Sequence, residues 1–131
     1  MAPAIRGATK RIVMTWIQTY SGRKFDLLNP DPDDVHIVDI AHALSNLCRF
    51  TGHTKEFYSV AQHCVLVASN VPEGLEIEAL LHDATEAYVS DLNTPLKHML
   101  RAAQCPSEYD RVEELVYDAI VRRFFLPYEK S

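Results

Sequence analysis

The chain has 131 residues, of which 47% are hydrophobic and 24% are charged. This balance is typical of one globular domain, and we expect residues 1–131 to form a single domain. Thirteen basic residues against eighteen acidic ones give a net charge of −5, which argues against a long nucleic acid as a partner. The net charge does not exclude a small phosphorylated ligand, because a metal ion or an arginine can reverse the sign of the electrostatic field inside one cleft.

The cysteines and the hydropathy pattern bear on the cellular compartment. Cys48, Cys64 and Cys105 show neither a paired framework nor a C-x-x-C spacing, so we expect free thiols in a reducing compartment. No uncharged stretch approaches the roughly 20 apolar residues of a membrane span, and the N-terminal segment lacks a secretory hydrophobic region. The sequence therefore predicts a cytoplasmic protein without a membrane segment.

The N-terminal part is poor in helical patterns. Residues 1–12 are basic and unpatterned, and we expect them to fray. Residues 14–20 (MTWIQTY) are rich in β-branched and aromatic side chains and precede a Ser-Gly turn, which predicts a short hairpin or extended segment. Residues 29–34 contain two prolines and several turn formers and are expected to form a loop.

Five helical patterns follow this loop, each delimited by turn or capping residues. We expect helices at about 38–48, 56–70, 75–89 and 94–103, and a last one opened by Pro106 and Ser107 and ended by Pro127. The third is expected to bury Ile77, Leu80, Leu81, Ala84 and Tyr88, and the last Val112, Leu115, Val116, Ala119, Ile120 and Phe124. The fold class is therefore all-α or mainly α, a compact bundle of about five helices with a short β-like segment at the N-terminal end.

The third helical pattern contains an adjacent His82 and Asp83, where packing alone would select neither. A buried carboxylate needs a partner, and a metal ion is the simplest partner that a histidine and an aspartate share. Glu86 follows Asp83 by three residues and falls on the neighbouring helix face. His63, on the preceding helix, occupies its apolar side and could complete a set of two imidazoles and one carboxylate.

Structural roles are the alternatives for these residues. A lone histidine on an apolar helix face is more often a hydrogen-bonded core residue, and Asp91 lies in an obvious turn. Arg49 is most simply a solvated cation near a helix C-terminus.

Cys64 points about 100° around the helix from His63 and is expected in the core. We interpret the other four histidines, His36, His42, His53 and His98, as surface or structural residues.

The ordered set of His63, His82-Asp83, Glu86 and Asp91 resembles the HD superfamily of metal-dependent phosphohydrolases. Residues 39–50, 58–63 and 79–88 are similar to its small nucleotidase branch, which includes bacterial 5′-deoxynucleotidases and phage deoxynucleoside triphosphohydrolases. The resemblance covers residues from about Trp16 to Leu126. It implies an HD-type helical bundle.

The resemblance also implies a function and a set of roles. His63, His82 and Asp83 would bind one divalent cation of Mn, Co, Mg, Zn or Fe, and Glu86 and Asp91 would surround the phosphate and the attacking water. The expected activity is hydrolysis of a phosphate ester or anhydride in a (deoxy)nucleotide by metal-activated water. The residues expected to contact this small-molecule substrate are Arg49 at the phosphate, Phe50 on the nucleoside and Lys97 near the mouth.

One departure from the family pattern opens an alternative. HD phosphohydrolases usually complete the metal site with an aspartate from a later helix, and no residue here carries that signature. Asp110 and Asp118 are both expected on a solvated face of the last helix. The alternative is a non-catalytic HD-like module that binds a nucleotide or a partner, and a structural metal site is a third possibility. A homo-oligomer is compatible with the resemblance, because the apolar stripe of the last helix suits either a dimer or an intramolecular core.

Overall fold

A short hairpin opens the fold. In the computed structural model, which describes residues 14–127, β1 (Trp16–Gln18) pairs antiparallel with β2 (Lys24–Asp26), and Ile17 lies opposite Phe25. Gly22, with a φ of 89°, makes the turn between the strands, and its backbone N–H donates to the Thr19 carbonyl. The hairpin confirms the expected extended segment, whereas the expected frayed tail lies outside the described residues.

Six α-helices follow in the described part of the chain. They are α1 (Ile37–Asn46), α2 (Val60–Ala68), α3 (Glu76–Leu81), α4 (Glu86–Val89), α5 (Thr94–Ala103) and α6 (Glu108–Phe124), with single 3-10 turns at Pro32–Asp34 and Phe50–Gly52. The mainly helical fold class is confirmed. None of the helices between residues 14 and 127 combines the length and the apolar composition that a membrane span requires.

Capping residues account for most differences from the expected helix limits. The second helix begins at Val60 rather than at residue 56, because Ser59 and Gln62 form a reciprocal capping box. Asn93 caps α5, which begins at residue 94 as expected, by accepting a hydrogen bond from the Leu96 backbone N–H. The last helix ends at Phe124, since Phe125 adopts the left-handed conformation.

The expectation of a single third helix at 75–89 is wrong, because the helix is interrupted between α3 and α4. The backbone N–H groups of His82, Ala84 and Glu86 donate to carbonyls three residues back, at 3.4, 3.0 and 3.0 Å. These bonds tighten the chain relative to an α-helix and change the face that is buried. Ile77 is accordingly 57% exposed and Leu80 37% exposed, contrary to the expected stripe, whereas Leu81, Ala84 and Tyr88 are buried.

The core lies between the hairpin and the helices α1, α2, α4 and α6. Its fully buried side chains include Phe25 of β2, whose ring stacks on Tyr88 at 4.0 Å between centroids. Val116, Ala119 and Ile120 of α6 are buried against it, whereas Leu115 is 43% exposed, contrary to expectation. The stripe of α6 is thus used largely inside the domain. All three cysteines are free thiols, and Cys64 is in the core as expected.

Asp110 joins α5 to α6. Its carboxylate accepts two hydrogen bonds from Arg101, at 2.8 and 2.9 Å, and one from the Ser107 backbone N–H at 3.0 Å. Ser107 and Asp110 form a capping box at the start of α6. The expected solvated position is therefore wrong for Asp110. For Asp118, the structure shows an ion pair with Arg122 at 3.0 Å on the helix surface.

Asp110→Ala is expected to lower the free energy of unfolding by about 1–2 kcal/mol, because it removes a cap and a bidentate ion pair. Asp118→Ala, the matched control, should change it by less than about 0.5 kcal/mol. Urea unfolding at pH 7 measures both effects. Equal losses in the two variants would contradict this role of Asp110.

The loss of stability caused by Asp110→Ala is expected to depend on pH. Arg101 beside Asp110 holds the pKa of that carboxyl well below its usual range. The ion pair therefore stabilises the fold fully above the unfolded-state pKa of about 4, and this stabilisation is lost as the pH falls through the folded-state pKa. We expect the difference in the free energy of unfolding between the wild type and Asp110→Ala to decrease as the pH falls from 4 to 2. Urea unfolding measures this difference.

Candidate metal centre

His63, His82 and Asp83 lie together at the surface of α2 and the turn before α4. The His82 Nε2 atom is 3.0 Å from the Asp83 Oδ2 atom, and the His63 Nε2 atom is 3.7 Å from the same oxygen. One ligand atom from each of the three residues lies within 4.8 Å of the others. Among residues 14–127, they form the one group of three or more such side chains that could hold a metal ion.

Two local features direct these side chains toward one point. His63 projects from α2 near the capping box of Ser59 and Gln62, which fixes the start of that helix. His82 and Asp83 belong to the tightened turn between α3 and α4, and α2 packs against α3. The site is partly open, because the His63, Asp83 and His82 side chains are 21%, 25% and 38% exposed.

The orientation of His82 matches that of a metal-ligating histidine. Its Nδ1 atom lies 2.6 Å from the Ala79 carbonyl oxygen, which can only accept, so Nδ1 is the donor. This hydrogen bond fixes the ring and directs Nε2 toward Asp83. Ligating histidines characteristically donate their second ring N–H to a carbonyl or a carboxylate in this way.

The protonation states of the two histidines differ. The hydrogen bond with Asp83 and, to a smaller extent, the contact with the Cys64 thiol raise the pKa of His82 to about 10. Burial and, to a smaller extent, the charge of Arg49 lower the pKa of His63. Burial raises the pKa of Asp83, but the hydrogen bond and charge of His82 outweigh it and keep this carboxyl ionised. At neutral pH, His63 and Asp83 are thus in the forms that bind a metal, whereas His82 must first lose a proton.

Glu86 and Asp91 add two ionisable carboxyl groups beside this cluster. Burial and the charges of Asp83 and Asp91 raise the pKa of Glu86 to about 8. Burial also raises the pKa of Asp91, although Lys97 and Arg49 oppose the shift. Both residues therefore interact electrostatically with Asp83 of the cluster. Three ionised carboxylates in one partly buried region would repel one another, so Glu86 largely keeps its proton at neutral pH, and a bound cation would relieve that repulsion.

Arg49 and Lys97 supply the positive charges around the site. The Arg49 guanidinium lies 4.6 Å from the ring centroid of Phe50 and 5.8 Å from that of Tyr58, an arrangement typical of cation–π contacts. Phe50 is 59% exposed, so its ring is accessible to a ligand. The Lys97 ammonium lies 6.0 Å from the Tyr109 ring.

The loops that carry Arg49 and Asp91 are tied to each other, and the sequence did not predict this link. The Asn93 side chain donates to the Thr51 hydroxyl at 3.2 Å, and the Tyr109 hydroxyl donates to the Ser90 carbonyl at 2.9 Å. Phe50, Thr51 and Ser90 adopt positive φ values of 57°, 56° and 71°. Strained non-glycine residues of this kind concentrate at functional sites. No sequence pattern predicts positive φ values at these three residues.

The other histidines and the late aspartates lie outside the described cluster. His53 and His98 are exposed, and the His42 ring stacks on Tyr20 at 3.7 Å between centroids. His36 is half-buried, and its Nε2 atom is buried without a hydrogen-bond partner among the described residues. Neither Asp110 nor Asp118 joins the ligand group formed within residues 14–127.

Comparison with known proteins gives relatives without a stated activity. No family model matches the chain. It is 48% identical over 115 residues to the uncharacterized protein YfdR of Escherichia coli strain K12, covering 87% of this chain and 61% of that protein. It is 37% identical over 121 residues to the uncharacterized protein RCAP_rcc00048 of Rhodobacter capsulatus, covering 86% of this chain and 59% of that protein. The chain thus spans about three fifths of the length of these two relatives.

Metal binding is expected to depend on the three clustered side chains. Asp83→Ala and His82→Ala should each weaken Mn²⁺ or Zn²⁺ binding by at least about tenfold, because each removes one of three ligands. His98→Ala is the matched control, since His98 is exposed and lies outside the cluster. Isothermal titration calorimetry measures the affinities. Unchanged binding in Asp83→Ala would contradict the assignment.

The affinity for Mn²⁺ is expected to rise with pH. Below the His82 pKa of about 10, a cation competes with a proton for the Nε2 atom, and each unit of pH removes competing protons. The apparent affinity should increase by up to about tenfold per unit between pH 6 and pH 8. Titrations that follow free Mn²⁺ by electron paramagnetic resonance at several pH values test this, and a flat profile would contradict it.

Proposed function

We propose that the chain carries a divalent-metal-dependent phosphohydrolase of HD type that acts on a deoxynucleotide. The observation that supports this most directly is the convergence of the His63, His82 and Asp83 ligand atoms within 4.8 Å of one another. The resemblance of the sequence to the small nucleotidase branch supplies the reaction and the substrate class. A reducing, cytoplasmic compartment is part of the proposal, supported by the three free thiols.

The donor set suits a divalent cation. Two imidazole nitrogens and one carboxylate oxygen are accepted by Mn²⁺, Co²⁺, Fe²⁺ and Zn²⁺, and three protein ligands leave an open position of the type found in catalytic sites. The hydrogen bond from His82 Nδ1 to the Ala79 carbonyl supports the same interpretation. When bound, the cation supplies an activated water and polarises a phosphoryl oxygen.

Glu86 and Asp91 are the candidates for proton transfer. Both carboxyls are partly shielded from solvent and interact electrostatically with Asp83. A carboxyl in this position can orient the attacking water and accept its proton, or deliver a proton to the leaving oxygen. Asp91 is held by a loop that the Asn93 side chain and the Tyr109 hydroxyl anchor, which would limit its movement during the reaction.

Arg49, Lys97 and Phe50 are the candidates for substrate binding. The planar guanidinium of Arg49 can donate two parallel hydrogen bonds to a phosphate, and the charges of Arg49 and Lys97 already act on Asp91. They would compensate the negative charge of the substrate in a protein with a net charge of −5. The exposed ring of Phe50 can pack on a nucleobase or a deoxyribose.

Release of phosphate or nucleoside from a panel of deoxynucleoside mono- and triphosphates with added Mn²⁺, Co²⁺, Mg²⁺ or Zn²⁺ tests this proposal. We expect turnover that Asp83→Ala abolishes, and Arg49→Ala should lower kcat/KM by at least about tenfold. Asp118→Ala is the control, because its ion pair lies on the surface of α6. Equal turnover in the wild type and Asp83→Ala would reject the metal mechanism.

The alternative is a non-catalytic module that binds a nucleotide or a partner. It is favoured by one observation, namely that no late aspartate joins the ligand group within residues 14–127. Calorimetric titration with the same nucleotides separates the two hypotheses, since binding without turnover with every metal favours the module. A homo-oligomer stays a hypothesis in either case, and sedimentation velocity measures it.

A further inference from the structure

The helix α5 is amphipathic, and its apolar side faces the solvent. Leu96, Met99, Leu100 and Ala103 recur at spacings of three and four residues, so they share one side of the helix. All four are exposed, and Met99 is exposed to 71%. A stripe of this kind normally packs in the core of its own domain, whereas α5 buries none of its residues. Its exposure marks α5 as an interaction surface.

The polar side of α5 faces the domain instead. The Arg101 guanidinium donates two hydrogen bonds to Asp110 at the start of α6, at 2.8 and 2.9 Å. The Lys97 ammonium lies 6.0 Å from the ring centroid of Tyr109 on the same helix. These two contacts fix the rotation of α5 about its axis. The apolar side therefore cannot turn toward the core unless both contacts break.

The segment that contains α3 forms a second exposed apolar surface, with the opposite charge. Leu75, Ile77 and Leu80 are 46%, 57% and 37% exposed. Residues 72–81 contain three acidic residues and no basic one, whereas α5 contains two basic residues and no acidic one. The ion pairs formed among residues 14–127 include none of these three acidic residues, which are Glu73, Glu76 and Glu78.

The charges decide how these two surfaces can be covered by a second copy of the chain. Contact between two α5 helices would place cations against cations, and contact between two α3 helices would place glutamates against glutamates. Like charges that face each other across an interface are unfavourable. Contact between α5 of one copy and α3 of another instead surrounds two apolar groups with opposite charges. The electrostatics therefore favour this cross pairing.

The size of the surfaces favours a two-fold arrangement. A ten-residue helix is only about 15 Å long, and one side of it offers much less than the roughly 800 Å² that each partner contributes to a stable interface. A two-fold axis lets each copy use α3 and α5 at once. The helix α2, which packs against α3, adds the exposed side chains of Val65 and Leu66.

We propose that the chain forms a two-fold symmetric homodimer in which α5 of each copy packs on α3 of the other. Leu96, Met99 and Leu100 of α5 contact Ile77 and Leu80 of the partner subunit. The basic residues of α5 lie near the glutamates of the partner subunit and fix the pairing. The proposal rests on the surfaces of α3 and α5 and does not depend on the proposed hydrolysis.

Sedimentation velocity over a range of protein concentrations at pH 7 tests the dimer. We expect a concentration-dependent equilibrium between monomer and dimer for the wild type. Met99→Glu faces the acidic α3 and Ile77→Lys faces the basic α5 of the partner subunit, so each should weaken dimerisation at least tenfold. Leu28→Glu and Val38→Lys are the matched controls, because they alter exposed apolar residues elsewhere, and both should dimerise like the wild type.

An equimolar mixture of Met99→Glu and Ile77→Lys tests the cross pairing itself. Their heterodimer contains one unaltered contact between α5 and α3, and one contact in which the introduced glutamate faces the introduced lysine. We therefore expect the mixture to dimerise at least tenfold more tightly than either variant alone. Both substituted residues are exposed, so both variants should fold, and circular dichroism checks this.

Three results would overturn the proposal. One is a wild type that stays monomeric at every concentration, as it would if another molecule or another part of the chain covers these surfaces. The second is a variant, either Met99→Glu or Ile77→Lys, that dimerises like the wild type, because pairing of two α5 helices or of two α3 helices would spare one of them. The third is a mixture that dimerises no better than its two components.

Discussion

The break between α3 and α4 is the constraint on which the candidate site depends. Adjacent side chains point about 100° apart on an α-helix and about 120° apart where the backbone bonds run to the third residue back, so the backbone alone does not bring His82 and Asp83 together. In the turn at residues 82–85, the His82 Nε2 and Asp83 Oδ2 atoms are nevertheless 3.0 Å apart, beside His63 of α2. The same turn presents the Ala79 carbonyl to His82 Nδ1. The turn thus contains two of the three clustered residues, and the bond to Ala79 orients the most exposed of them.

A concentration of carboxyl groups accompanies this geometry. Asp83, Glu86 and Asp91 lie near one another and are partly buried, and the pKa of Glu86 is raised to about 8 as a result. Without a metal, the proton on His82, together with Arg49 and Lys97, offsets this charge, and the proton on Glu86 reduces it. A divalent cation would replace the proton on His82 and would attract the carboxylates more strongly than that proton does. The electrostatics of the site therefore favour metal binding over protonation as the pH rises.

The sequence predicts the type of fold and the membership of the cluster, but not its geometry. Periodicity locates the helices, and a buried His-Asp pair requires a partner, which is why His63, His82 and Asp83 can be named in advance. The break at residues 82–85 cannot be predicted this way, because the apolar pattern of residues 75–89 continues through it. The bond from Asn93 to Thr51 joins residues 42 positions apart, and no local propensity specifies such a contact. The solvated position expected for Asp110 is wrong because its ion-pair partner, Arg101, lies on the preceding helix, and the periodicity of the last helix carries no information about that contact.

The four-residue helix α4 connects the site to the core. A helix this short has little stability of its own, and tertiary contacts must hold it. Tyr88 stacks on Phe25 at 4.0 Å, and the Thr85 hydroxyl donates to Glu113 of α6 at 3.0 Å. Because Glu86 lies between Thr85 and Tyr88, its position beside Asp83 is set by these two contacts. The hairpin and α6, which contribute none of the clustered metal ligands, therefore determine where the candidate catalytic carboxyl stands.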